Sequence, residues 1–242
     1  MSSAATGPQQ THRIRPPFRA DHVGSLLRPD ELRAARAARK AGTLSAETLT
    51  AVEDRCIGAA IRSQEELGLR AATDGEYRRA YWHFDFVSGL DGIELYEPEQ
   101  KVTFKGGIPL PLALRVIGPI RWSRPVMVDD WRFVAGHVRT AIPKMTIPSP
   151  SVVHFRGGRR SIDAKTYPDM DQFFADLAEA YHHAVQAFAA AGCRYLQLDE
   201  VDIAYLCDPE QIAALKARGE QVENLLQIYG LSLIHISEPT RP

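Results

Sequence analysis

The chain has 242 residues, with 29 Lys and Arg against 30 Asp and Glu, a formal net charge of -1, 45% hydrophobic and 24% charged residues. That balance excludes a disordered solvating chain, and it lacks the basic excess of a dedicated nucleic-acid binder. No apolar run reaches the roughly 18 residues of a membrane span, and the N-terminus has no hydrophobic signal core. A cytoplasmic protein with one main core is expected. Cys56, Cys193 and Cys207 are too few and too scattered for a disulfide framework.

Residues 1–17 are small, polar and proline-containing, and read as a disordered arm. Residues 18–25 suit a first buried strand. A helix follows with Asp30 as its cap, and Gly42 stops it. Ser45 caps the next helix, where Leu49, Val52, Cys56 and Ala60 recur at helical spacing and mark a core-facing stripe. Cys56 therefore reads as packed rather than reactive. Residues 70–76 read as a short strand that ends in a polar site. From 81 to 126 the pattern breaks into aromatics, glycines and prolines, with 112–118 its best strand. Residues 129–140 look helical, and 144–151 form a strand that Pro148 and Pro150 cut short. The clearest helix spans 169–191, opened by a capping box of Asp169 and Gln172 and striped by Phe173, Leu177, Tyr181, Ala184 and Phe188. A short strand over 193–200 and one helix over 209–229 complete a repeating βα pattern.

Three segments carry candidate chemistry: DHVGSLLRP at 21–29, TDGEYRR at 73–79 and YLQLDE at 195–200. Gly24 lets a ligand approach the backbone closely, and Ser25 adds a hydroxyl. Carboxylates at strand ends, where a barrel gathers its site, suit a ligand ammonium group. A backbone N–H group near Gly24 suits a carboxylate, so the set fits an amino acid. Each residue also has a purely structural reading: Ser25 as a turn residue, Glu76 paired with Arg78 or Arg79, Asp199 and Glu200 as helix caps. His182 and His183 are adjacent on a helix and point apart, which argues against a shared metal.

Taken together, and in this order, the three segments resemble the catalytic domain of cobalamin-independent methionine synthase, in its shorter stand-alone relatives. GPIRWSRPVMVDDWRF at 118–133 and KMTIPSPS at 144–151 fit the same order, so the resemblance covers about 18–230. It implies an α/β fold, a (β/α)8 TIM barrel, here incomplete with about five of eight strands. It further implies methyl transfer from 5-methyltetrahydrofolate to the homocysteine thiol, with zinc holding and deprotonating that thiol. Val23, Gly24 and Ser25 match the segment that contacts the homocysteine carboxylate. Glu76 and Asp199 match acids that hold its amino-acid portion. Val201 stands where the family often has proline, and Tyr205 where it has a folate-contacting acid. Arg78 and Arg79 are candidates for an anionic substrate tail.

The family's zinc ligands begin with a His-x-Cys motif after the Tyr229 region, followed by a glutamate and a cysteine. No position of this chain matches them, so no catalytic or metal residue is assigned and methyl transfer is not expected of it. Two other readings stay open: a related zinc-dependent thiol alkyl-transferase, and a metal-free amino-acid-binding barrel module. Residues 231–241, LSLIHISEPTR, resemble the translation of a transposon-type sequencing adapter. The natural sequence is therefore expected to run to about Gly230, with 231–242 a non-native tail.

Overall fold

Ser45 accepts a hydrogen bond from Thr48 N at 3.2 Å and so starts the first long helix as expected. The structure is a computed structural model that describes residues 15–98 and 112–237. Residues 1–14 of the expected arm and 238–242 of the expected tail lie outside the described residues. Helices α1 (Asp30–Lys40) and α2 (Ala46–Glu66) pack side by side, separated by Gly42 at φ +75°. Cys56, Ile57, Ala60 and Ile61 bury one face of α2 against Leu32, Ala72, Tyr77 and Val134. Asp30 is not the cap of α1. Pro29 precedes the helix, and Asp30 instead pairs with Arg33 one turn on.

Strand β1 (Ala71–Ala72) is followed by α3 (Phe84–Val87), β2 (Asp91–Tyr96), β3 (Ala113–Arg121), α4 (Val128–His137), β4 (Ile142–Pro143) and β5 (Met145–Pro148). Then come α5 (Ser151–Phe155), a 3-10 turn (Gly158–Ser161), α6 (Met170–Ala190), β6 (Leu196–Asp199), α7 (Asp202–Tyr205), α8 (Pro209–Ala217) and α9 (Val222–Ser237). β1 pairs parallel with β4, and β5 pairs parallel with β6. Lys144, between β4 and β5, donates its N–H to Ala72 O, while Met145 N donates to Tyr195 O. One backbone run thus bonds β1 on one side and β6 on the other, with helices between successive strands. Among the described residues these parallel strands do not close on themselves. The fold is an incomplete (β/α)8 barrel.

The strand expected over 18–25 does not form. Gly24 sits at φ +143°, outside the extended region, and the segment is held by single bonds rather than a ladder. The strand expected within 112–118 is β3, but it pairs antiparallel with β2 as a hairpin apart from the parallel strands. The helix expected over 209–229 is two, because Gly219 at φ +88° interrupts it. Asp169 does cap α6, accepting from Asp171 N at 2.9 Å. Gln172 turns instead to Asp176, so the reciprocal half of the capping box is unmade.

The main core lies between α6 and the strands. Phe173, Leu177, Tyr181, Ala184 and Phe188 are all buried, each larger side chain contributing about 1.5–3 kcal/mol by removal from water. Residues 231–237 continue α9 without interruption. Ile236 is buried in the main core, and its carbonyl lies 3.3 Å from His182 Nδ1. Among the described residues no helix is long and apolar enough to cross a membrane.

Candidate functional site

Five hydrogen bonds dock the first motif onto the second, one of them from the Tyr77 hydroxyl to Leu27 O at 3.0 Å. Thr73 Oγ1 donates to Gly24 O at 2.7 Å, and Leu26 N donates to Gly75 O at 3.0 Å. Arg28 reaches over with Nη2 to the carbonyls of Glu76 at 2.8 Å and Arg79 at 3.0 Å. The motif arginine is therefore a clamp on the backbone of the acid-bearing turn. Gly24 is buried against Thr146 of β5, where an added Cβ would stand 2.7 Å from Thr146 Cγ2.

This packing opens a cavity of about 590 Å³ beside the carboxyl end of β6. Val23, Ser25, Glu76, Trp82, Asp199 and Glu200 are among its lining residues. Gly24 supplies the bend behind the wall and does not line it. Ser25 is exposed at the rim, and Val23 is 63% exposed. Val23, Ser25, Glu76 and Asp199, four of the five site residues expected from the sequence, thus line one concave surface from three distant segments, while Gly24 does not.

Glu76 has φ +58°, an unusual conformation for a non-glycine residue, which aims its buried carboxylate inward. Its Oε1 accepts from Thr146 Oγ1 at 3.1 Å and pairs with Arg79 Nη1 at 3.3 Å. Burial raises the Glu76 pKa above the ordinary carboxylate value, against the opposing pull of Arg79 and Thr146. Asp199 is 9% exposed and accepts a hydrogen bond from Gln197 Nε2, which also donates to Val23 O at 3.1 Å. Burial raises the Asp199 pKa too, with the Gln197 bond as the main opposing influence. Two carboxyl groups shielded from water, whose pKa values stay raised although Arg79 and the buried Lys144 act on them, favour the arrival of a further cation.

Arg78 and Arg79 do not offer free charge to an anionic tail. Arg79 is fully buried and contacts Glu76, Trp82 O and Thr146 O. Arg78 is held by Glu53, Asp54 and Asp130. Both line a second cavity of about 420 Å³ as members of closed charge networks. His22 does not line the larger cavity; its carbonyl accepts from Lys144 Nζ at 2.6 Å on the other side of the strand. His182 turns to Gln186 and Ile236 O, while His183 pairs with Glu179, so the two imidazoles do not converge.

Trp82, Thr146 and Gln197 belong to the site but carry no distinguishing sequence signal. Trp82 lies in the irregular stretch after the second motif, and Thr146 and Gln197 are ordinary strand residues. Cys56 and Cys193 are buried and Cys207 is exposed. Among the described residues no three His, Cys, Asp or Glu side chains stand where they could share a metal ion.

Residues 18–210 match the family model described as cobalamin-independent synthase, catalytic domain. The chain is 40% identical over 235 residues to the uncharacterized protein YxjG of Bacillus subtilis (strain 168), covering 96% of this chain and 62% of that protein. It is 27% identical over 178 residues to a methionine synthase of Sulfurisphaera tokodaii, covering 74% of this chain and 50% of the relative. A crystal structure of a putative vitamin-B12 independent methionine synthase from Listeria monocytogenes matches with TM-score 0.76 and 36% identity, over 93% of this chain and 63% of that one. The chain thus spans about three fifths of the length of its more similar relatives.

Proposed function

The chain belongs to the cobalamin-independent synthase catalytic-domain family, and we propose that its cavity binds the amino-acid portion of homocysteine, the methyl acceptor of a 5-methyltetrahydrofolate. Asp199 and Glu76 hold the ammonium group. The backbone at Val23, with the Ser25 hydroxyl, holds the carboxylate, and Gly24 provides the bend that presents them. The observation that carries this reading is the convergence of Ser25, Glu76 and Asp199 on one cavity whose buried acids have raised pKa values.

In the family, zinc supplies Lewis-acid activation of the thiol. The described residues do not fit such a site, since no three ligating side chains meet. We read the chain as an amino-acid-binding cytoplasmic barrel that does not itself transfer methyl groups. Titration calorimetry with homocysteine and with methionine tests the binding. Saturable heat, with binding weakened by Asp199→Asn, is expected, and no heat from either amino acid would overturn it. Methylation of homocysteine by the purified chain, with a stoichiometric bound zinc, would overturn the second half.

A further inference from the structure

Next to the cavity lies a group of oxygens whose hydrogen count does not close with neutral hydroxyls and ionised acids alone. Ser151 Oγ is 2.6 Å from Ser149 Oγ, 2.7 Å from Glu200 Oε2 and 3.0 Å from Asp202 Oδ2. Each of these three oxygen–oxygen contacts needs a hydrogen between its members. The two serine hydroxyls supply one hydrogen each. The third comes from a carboxylic acid.

The surroundings decide which one. Glu200 accepts at Oε1 from the backbone N–H groups of Asp202 at 2.7 Å and Ile203 at 2.9 Å, and it lines the cavity. Asp202 is completely buried, and its Oδ1 has no hydrogen-bond partner. An ionised carboxylate with one bare buried oxygen is the costlier arrangement, so the proton resides on Asp202. The charged and titratable groups facing it are Glu200, Arg156, and the phenols of Tyr181 and Tyr229. Burial raises the Asp202 pKa to about 6, Glu200 adds to the rise, and Ser151 and Arg156 oppose it. Both phenols are pushed up by burial, and so remain neutral beside it.

We infer that Asp202, Ser151 and Glu200 form a proton relay, in which Asp202 stores a proton beneath the cavity and Ser151 joins it to Glu200 at the cavity wall. Asp202 donates to Ser151, and Ser151 donates to Glu200. A cation held in the cavity that Glu200 also lines favours the doubly ionised pair. The Asp202 O–H bond then breaks, its electron pair stays on the carboxylate, and the proton leaves for water. The site thereby links the charge of its ligand to proton release. Only the identity of that cation, the ammonium group of an amino acid, rests on the proposed function.

Carbon-13 NMR of the aspartate carboxyls in the ligand-free 242-residue chain tests the store directly. The Asp202 resonance, assigned by its loss in Asp202→Asn, is expected to titrate near pH 6. Glu200→Gln removes the neighbouring charge and is expected to move that midpoint down by about one pH unit. Ser151→Ala removes the bridging hydroxyl and is expected to shift it as well. An Asp202 midpoint near pH 4 in the unaltered chain would sink the proposal, with no variant needed. So would a midpoint that neither Glu200→Gln nor Ser151→Ala moves. Methionine binding followed by calorimetry in two buffers of different protonation heat is expected to release part of a proton at pH 6 and none at pH 8. Equal proton release at both pH values would refute the linkage. Absence of methionine binding would count against the proposed function, while the ligand-free titration still decides the relay.

Discussion

Glu76 and Thr146 meet across 70 residues of sequence, the threonine hydroxyl donating to the glutamate Oε1 at 3.1 Å. The same threonine side chain packs on Gly24, and its carbonyl accepts from Arg79. β5 therefore joins the two motifs that line the cavity, and disturbing this junction should affect both stability and binding.

Gly24→Ala introduces a side chain at φ +143° and drives a methyl group to 2.7 Å from Thr146 Cγ2. Strain and overpacking together are expected to destabilise the chain by about 2–4 kcal/mol. Urea unfolding measures this directly. A midpoint equal to that of the unaltered chain would show that the bend is not required.

Arg79→Met leaves the Glu76 carboxyl buried without its cation. The expected loss is about 3–5 kcal/mol near neutral pH. Because the stranded acid can take up a proton, the deficit should shrink as the pH falls toward 5. Unfolding curves at pH 5 and 8 distinguish this from a simple loss of packing, which would be the same at both.

Asp199→Asn keeps the shape of the cavity wall while removing its charge. Binding of an amino acid should weaken by about tenfold to a hundredfold, in keeping with roughly 1.5–3 kcal/mol for a hydrogen bond to a charged group. Calorimetry with methionine reads the change. Unchanged affinity would place the ammonium group elsewhere.

Two acids give opposite pH dependences. Glu65 Oε1 accepts from the N–H groups of Arg139, Thr140 and Ala141, and its pKa is lowered to about 2 although burial opposes the shift. Its contribution is present above pH 4.5 and is lost as the pH falls toward 2, so Glu65→Gln should flatten the acid limb of the stability profile.

Asp130, half-buried near Asp74, has its pKa raised to about 6 by loss of water contact despite its pairing with Arg78. A raised carboxyl favours the protonated native state, so stability should fall as the pH rises from about 4 through 6. Asp130→Asn should remove that part of the fall. Thermal unfolding between pH 4 and 8 checks the sign, and a steeper fall in the variant would contradict it.

Much of this molecule is local in origin. The Ser45 cap, the α6 stripe and the strand 196–199 follow from propensity and periodicity over a few residues. So do the candidate acids, because Asp199 and Glu76 end segments whose neighbours suit burial. The 18–25 segment has the local pattern of a strand, whereas its backbone bends at Gly24 to meet Thr146. The 209–229 pattern is that of one helix, and the chain divides it at Gly219, which takes φ +88°.

The sequence by itself determined the βα alternation, the near-neutral charge and the three motifs, since each depends on neighbours within a helical turn or a strand pleat. Only the tertiary structure decided which motifs share a cavity, and that Arg28 clamps backbone while Arg79 is spent on Glu76. Those outcomes depend on contacts between residues far apart in the chain. Asp202 is the sharpest case. Its sequence context is that of a helix-opening acid, and only the surrounding elements leave it buried, with one oxygen bare and Ser151 between it and Glu200.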